Sequence, residues 1–402
     1  MDGACEVREV KLLITTSQWF PDFAGGSGRV AAETARRLAA RGHDVTVIAP
    51  RHAGAPAIAR DETLAVHRVL ARSAFPSTLT DITGTWRAAR GVRRKGFDLV
   101  VAHQTTGAVG ALAAATGAPL ALVYHASAVR ELRFLRTRLR LGAPLLATYP
   151  LESLLLGAEH IAIARAARIL VLSEFSSSLI NEDHPRHADR VVRVLGGVDV
   201  DRFAPLADAR ERLDLPRTMP LLVTARRLEP RMGIDLLLRA LIHVPEVNLV
   251  VIGTGSSERR LQRLAETMGV GARTQFLGRV PEADLRTWYA AADVVVMPTA
   301  AYEGFGLVTP EALACGTPVV ATPVGASPEL LRPLDPGLVA SNASAEELAA
   351  AIRRALSARG PELRARCREY AVSRYAWDSV IQGWESALEV AAASRVRVPT
   401  AA

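Results

Sequence analysis

Residues 293–321, DVVVMPTAAYEGFGLVTPEALACGTPVVA, decide the fold class. Val294, Val295, Val296 and Met297 form a short apolar run between Asp293 and Pro298, the pattern of a parallel strand covered on both faces. Thr309 reads as an N-cap, Pro310 as the first helical position and Glu311 as an acid in the first turn, so a helix is expected to start at Pro310. Pro318 to Ala321 then supplies the next strand. Strand, loop, helix and strand in succession are the unit of a doubly wound parallel sheet.

The loop inside this unit carries the chemistry. Gly304 and Gly306 let the backbone come close to a ligand, and the amides of Leu307 and Val308 sit where a helix start attracts an anion such as phosphate. Glu303 and Glu311, eight positions apart, bracket EGFGLVTPE. Glu303 is an acid in an otherwise apolar, aromatic-flanked loop past a strand's C-terminal end, the side on which open α/β sheets bind ligands. Glu311 has a second reading, compensation of the helix dipole.

Outward from this unit the same alternation continues. Lys11 to Thr15, Val45 to Ala49, Leu99 to Ala102, Leu120 to Tyr124, Ile169 to Leu172 and Val191 to Leu195 read as one set of strands. Leu221 to Thr224, Asn248 to Ile252, Thr274 to Leu277, Val294 to Met297, Pro318 to Ala321 and Leu338 to Val339 read as a second, with a hinge at Gly196 to Pro205. A chain of 402 residues exceeds the usual size of one domain, so two domains are expected. Gln104 to Tyr124 is uncharged and long enough to suggest a membrane span, but Gly117, Ala118 and Pro119 divide it into a helix and a strand.

Composition narrows the function classes. Cys5, Cys315 and Cys367 are odd in number and lack metal-like spacing, as free thiols in a reducing cytoplasm would. Asp2, Glu6, Arg8 and Glu9 precede the first strand instead of an export signal, and a cytoplasmic location is expected. The net charge of +8 raises nucleic acid and membrane as partners, yet only Lys11 and Lys95 are lysines and no aromatic and basic residues interleave as single-strand binding needs. No nucleic-acid partner is expected.

The run EGFGLVTPEALACGTPVVAT, with seven residues between its glutamates, resembles the signature of the retaining, nucleotide-sugar-dependent glycosyltransferases of family 4, and the resemblance extends from about Lys11 to Trp384. It implies the α/β fold class called GT-B, two Rossmann-like doubly wound domains facing each other across a cleft. Residues 1–199 would form an acceptor-binding domain, with 377–402 packing back on it as a helix, and 200–376 a donor-binding domain. The implied reaction moves a hexose or N-acetylhexosamine from a nucleoside diphosphate sugar, UDP ahead of GDP, to an acceptor hydroxyl or amine with retained configuration, in natural-product or cell-envelope glycoside formation.

The resemblance also assigns residues. Glu303 would sit by the donor sugar, Glu311 on the ribose, and Phe305, Gly306, Leu307 and Val308 around the donor. Gly25 and Gly26, in the glycine-rich turn PDFAGGSGRV after the first strand, would line the diphosphate, although a tight strand-to-helix turn explains them equally well. Gly253, Arg279 and Val280, with Gly255, would lie by the nucleoside, turn chemistry being the alternative. His125, at the end of the strand Leu120 to Tyr124, would reach the transferred sugar or the acceptor. In TARRLEPRMG the family pattern Gly-Arg-Leu, three residues, Lys-Gly places Arg227 on the diphosphate, but Arg226 replaces the glycine and Met232 the lysine. Arg231 is the nearest substitute cation, and Arg226 reads as part of a solvated basic loop.

No metal and no other cofactor are expected. Asp199, Val200 and Asp201 spell a metal motif of a different fold, but two aspartates on an extended segment point to opposite faces. Val129 to Leu141, read as a helix, gathers Arg133, Arg136 and Arg140 on one side, either a solvated face or a contact for an acidic protein, an anionic lipid surface or a negatively charged acceptor. A sugar-nucleotide epimerase or phosphorylase of similar fold, and a nucleotide-sugar-binding protein without catalysis, are the alternative functions.

Overall fold

A computed structural model describes residues 9–21, 25–51, 56–61, 64–71, 77–139, 148–216 and 218–394. The chain divides into two compact units. Met1–Leu132, Leu141–Leu195 and Ile381–Ala402 form the first, and Arg133–Arg140 with Gly196–Val380 form the second.

The first unit is built on a sheet of eight strands: β1 (Lys11–Thr15), β2 (Asp44–Arg51), β3 (Ile58–Asp61), β4 (Leu64–Ala71), β5 (Leu99–Ala102), β6 (Leu120–Tyr124), β7 (Ala166–Val171) and β8 (Val191–Arg193). Their order is β3-β4-β2-β1-β5-β6-β7-β8, parallel throughout except for the edge pair β3 and β4. Leu13, Val100, Leu122, Tyr124, Ile169 and Val171 meet Ile163 and Ile180 in one buried cluster. Covering helices bury the sheet, so its central strands are apolar along their whole length. Within this unit Trp384 Nε1–H donates to the Leu195 carbonyl at 2.9 Å, and Glu385 pairs with Arg41 and with His43.

The second unit has five parallel strands, β9 (Leu221–Ala225), β10 (Asn248–Ile252), β11 (Thr274–Gly278), β12 (Val294–Met297) and β13 (Val319–Ala321), in the order β11-β10-β9-β12-β13. In each sheet the chain lays strands outward from a central one, then returns to that strand's other side. The order reverses between β1 and β5 in the first unit and between β9 and β12 in the second. In doubly wound sheets the helices on opposite faces diverge at such a point, and ligands bind in the crevice at the strands' C-terminal ends.

Several expectations need correction. The β3–β4 pair was not anticipated. Strand β2 runs to Arg51, β7 begins at Ala166 and ends at Val171, and β8 stops at Arg193. Leu338 and Val339 are not a strand: Pro336–Leu338 is a 3-10 turn, and Val339 makes a single bridge to Ala321. The helix after the glycine loop is Val308–Ala314, so Pro310 is its third residue and Thr309 does not cap it. The early position costs nothing, because the first four amides of a helix have no intrahelical acceptor for proline to forfeit. The arginine-bearing helix is Ala128–Leu139; Arg140 lies outside the described residues, as do Cys5, Asp2, Glu6 and Arg8. Gln104 to Tyr124 is the helix Thr105–Ala113 followed by β6, and among the described residues no helix is long and apolar enough to cross a membrane.

Candidate functional site

In the second unit, two segments meet at the reversal point, the turn after β9 and the loop after β12. Arg226 follows Ala225 directly and remains in the sheet's ladder, its amide donating to Ile252 O at 2.9 Å. Its guanidinium is buried, with side-chain exposure of 4%. Nη2 ion-pairs with Glu303 Oε2, and Nη1 donates to Thr299 Oγ1 at 2.8 Å and to Met232 O at 3.3 Å. The expectation of a solvated Arg226 is therefore wrong: seventy-seven residues of chain separate two charges that fold into one buried pair. Burial lowers the Arg226 pKa, while the Glu303 charge opposes that shift. A guanidinium stays charged even so. The adjacent charges of Arg231 and Arg227 add to the pull.

Backbone geometry holds this pair. Gly233 has φ +72°, and a Cβ there would stand 1.8 Å from Pro298 O, so only glycine lets the turn after β9 close on the loop after β12. Tyr302 adopts φ +54°, a left-handed conformation that costs an aromatic residue on the order of 1–3 kcal/mol. Arg231 holds it there, donating from Nη1 to Tyr302 O at 3.0 Å and accepting from the Ala300 and Ala301 amides. Beyond it, Glu303 O accepts from Ala326 N at 2.9 Å, and a Cβ on Gly325 would come within 2.5 Å of that oxygen. Thr322 Oγ1 donates to Thr299 O at 2.7 Å, which braces the base of the loop.

The remaining candidates of this unit fall around that centre. Arg227 is exposed beside Arg226, and Met232 is buried with its carbonyl accepting from Arg226. Gly306 accepts from Thr309 N, Leu307 precedes the helix and Val308 opens it. Phe305 is buried edge-on to Tyr375 and against Gly196, so its ring is committed to packing. Glu311 is buried and accepts from the Tyr289 hydroxyl at 3.4 Å. Gly253 donates to Gly278 O at 2.7 Å, which ties the ends of β10 and β11, and the exposed Arg279 and half-buried Val280 continue from β11.

In the first unit the corresponding edge carries Thr15, His103 and His125 at the ends of β1, β5 and β6. His103 N–H donates to Thr15 O at 2.9 Å, and its Nδ1 lies 3.1 Å from His125 Nε2. Burial pulls the His125 pKa down to about 4 and that of His103 well below the usual imidazole range, with His125 reinforcing the latter. Both rings are neutral at pH 7. Gly25 stands before the helix Gly26–Ala40, its carbonyl accepting from Arg29 N. Gly28 packs on the Gln18 backbone, where a Cβ would meet carbon and oxygen at 3.0 Å. That contact explains Gly28 by packing, and Gly25 also lies against Gln18, where a Cβ would come within 2.2 Å of Oε1 of that flexible side chain.

Asp199 accepts from the Asp201 and Arg202 amides in an Asx turn. Among the described residues no three His, Cys, Asp or Glu side chains gather as metal ligands would. Sequence reasoning missed Arg226 and His103, although both carry the signal that singled out His125: a polar side chain directly after an apolar strand.

Comparison with known proteins gives this arrangement a family. Residues 24–202 match the family described as Glycosyltransferase Family 4, and residues 207–374 match Glycosyl transferases group 1. The D-inositol 3-phosphate glycosyltransferase of Xylanimonas cellulosilytica is 35% identical over 327 residues, covering 75% of this chain and 76% of that protein. Among solved structures, sucrose-phosphate synthase from Thermosynechococcus elongatus superposes with a TM-score of 0.81 at 22% identity, over 96% of this chain and 100% of that one. Anabaena HepE in complex with UDP and glucose superposes at 0.74 and 20% identity, over 95% and 100%. The structural likenesses establish the GT-B fold, and the sequence relationship establishes the rest: the chain belongs to glycosyltransferase family 4 and is a glycosyltransferase.

Proposed function

We propose that the protein transfers a hexose or N-acetylhexosamine from a nucleoside diphosphate sugar to an acceptor hydroxyl or amine, with retention at the anomeric carbon. The second unit holds the donor and the first the acceptor. The observation that carries this assignment is the Arg226–Glu303 pair at the reversal point between β9 and β12, with Arg227 and Arg231 beside it.

A departing nucleoside diphosphate builds negative charge on its leaving oxygen while the sugar becomes oxocarbenium-like. Fixed cations aimed at that oxygen stabilise the charge without reorganising. Arg227 supplies one cation. Arg226 supplies the second, in place of the lysine that Met232 lacks, because it is anchored to the Met232 carbonyl and reaches Glu303. Arg231 is held by its Nη1 donation to the Tyr302 carbonyl, and its charge adds to that of the other two. Glu303, clamped by Arg226, orients the sugar's hydroxyls and faces the developing positive charge; a carboxylate so held is poorly placed to attack carbon. The acceptor then enters on the face the diphosphate leaves, which retains configuration. Glu311 accepts from the ribose, and the amides of Leu307 and Val308 help bind phosphate.

UDP is the preferred nucleotide, supported by the UDP in HepE, and no metal ion or cofactor takes part. The name of the Xylanimonas relative makes a phosphorylated cyclitol the first acceptor to test. The purified chain is incubated with a panel of UDP-, GDP- and ADP-sugars and a cyclitol phosphate, and the product is solved by nuclear magnetic resonance. A retained anomeric configuration with a UDP-sugar is expected. Inversion, or donor binding with neither transfer nor hydrolysis, overturns the proposal.

A further inference from the structure

The contact between His103 and His125 has a chemical consequence that neither residue has alone. His103 ends β5, is 1% exposed, and stacks on His125 with ring centroids 5.4 Å apart and on Trp384 with centroids 6.4 Å apart. Its Nδ1 faces His125 Nε2 at 3.1 Å, a hydrogen bond in which one ring donates and the other accepts. Its other nitrogen, Nε2, is buried and makes no hydrogen bond with any described residue.

Two neutral rings can share this contact in two ways. If His125 Nε2 donates, His103 carries its single proton on Nε2, a buried N–H with no acceptor. If His103 Nδ1 donates, its Nε2 is a bare lone pair and the proton goes where an acceptor exists. A buried N–H without a partner is among the rarest features of folded proteins, so the second arrangement is favoured. His125 then accepts at Nε2 and carries its own proton on Nδ1.

We infer that His103 is a positioning residue: it fixes His125 as the Nδ1–H tautomer, so that His125 meets the bound ligand as a hydrogen-bond donor to a sugar or acceptor oxygen and not as a base. The inference rests on the placement of His125 at the ligand site proposed above. It assigns deprotonation of the acceptor to another group, such as an oxygen of the departing diphosphate. A serine or asparagine in place of His125 could donate equally well, whereas a general base could not be so replaced.

Long-range nitrogen-15 to proton correlation spectra of the full chain test the assignment, with His125→Gln used to identify the ring. Wild-type His125 should show a protonated Nδ1 and a bare Nε2. His103→Phe keeps a flat ring under Trp384 but cannot donate, and should shift His125 toward the Nε2–H form that free imidazole side chains prefer in water. His103→Asn, whose amide nitrogen replaces Nδ1, should restore the Nδ1–H form. Turnover should fall about tenfold or more in His103→Phe and recover most of that loss in His103→Asn, as expected for a misdirected donor. A wild-type His125 protonated on Nε2, or an unchanged tautomer in His103→Phe, overturns the inference. If the tautomers behave as described but His125→Ala turns over like wild type, the tautomer assignment stands and the placement of His125 at the ligand fails.

Discussion

Exchanging the cation at the donor site tests the central assignment most directly. Arg226 occupies the position where the family pattern has glycine, and Met232 the position where it has lysine, and in the fold the Arg226 guanidinium touches the Met232 carbonyl. The perturbation is the cycle of Arg226→Gly, Met232→Lys and the double variant. Arg226→Gly removes a buried cation and leaves Glu303, whose side chain is only 14% exposed, without its partner. Breaking a buried pair in this way costs about 3–5 kcal/mol, and the neighbouring Arg227 and Arg231 place the expected loss of stability near about 3. Losing one fixed charge on the leaving group lowers turnover by about 10²–10³, or about 2.7–4 kcal/mol of transition-state stabilisation.

Met232→Lys alone puts an ammonium into a site 6% exposed and beside Arg226, so it should destabilise the unit and not raise turnover. In the double variant the new lysine takes the space and partner that Arg226 vacates. The kcat/KM should then return to within about tenfold of wild type, a coupling of at least about 1.4 kcal/mol. Arg226→Lys, which keeps a charge but loses the fork that spans Thr299, Met232 and Glu303, should lie between wild type and Arg226→Gly. The assay is donor turnover with the best nucleotide sugar, beside melting curves with and without nucleoside diphosphate. If Arg226→Gly folds and keeps kcat/KM within about threefold of wild type, or if the double variant is no better than the two singles combined, Arg226 is not the second cation.

Other predictions follow from the same geometry. Gly233→Ala places a methyl 1.8 Å from Pro298 O at a left-handed φ, so the folding free energy of the second unit and the donor-binding free energy should each weaken by more than about 1 kcal/mol; an unchanged melting curve would show that this junction is not tight. Stability of the first unit should depend on pH in a stated direction. His125 is held near a pKa of about 4 when folded but binds a proton below about 6.5 when unfolded, so its contribution is full above pH 6.5 and is lost as pH falls toward 4. With His125 half-buried, the loss should be about 1–3 kcal/mol, His103 adding to it, and urea midpoints at pH 7 and 4.5 should differ less in a His103→Phe/His125→Phe variant.

How much of this was legible in the chain depended on range. Leu99–Ala102, Leu120–Tyr124 and Val294–Met297 are strands with the bounds their apolar runs indicate, because a strand buried on both faces is apolar along its whole length, and Lys11–Thr15 and Asn248–Ile252 keep their expected bounds with polar residues only at the ends. The edge pair β3 and β4 was not legible. Ile58–Asp61 and Leu64–Ala71 mix alanine, arginine and histidine, as strands at a sheet's margin can, and no uninterrupted apolar run marks them. The helix start was displaced to Val308 because Thr309 and Pro310 suit a first turn as well as a cap.

What the sequence by itself determined was local and periodic: two successions of buried parallel strands and helices, a glycine loop that presents an acid past a strand's end, and with them the fold and the family. Only the tertiary structure decided which charges meet. Nothing near Arg226 in the chain distinguishes a solvated arginine from one paired with a carboxylate seventy-seven residues away, and nothing near His103 signals a neighbour twenty-two residues on. Both pairings follow from strand order, β9 beside β12 and β5 beside β6, which brings strand ends together across long stretches of chain. Local propensities act over a few residues, whereas a buried charge finds its partner only when the sheet has assembled and water has been excluded.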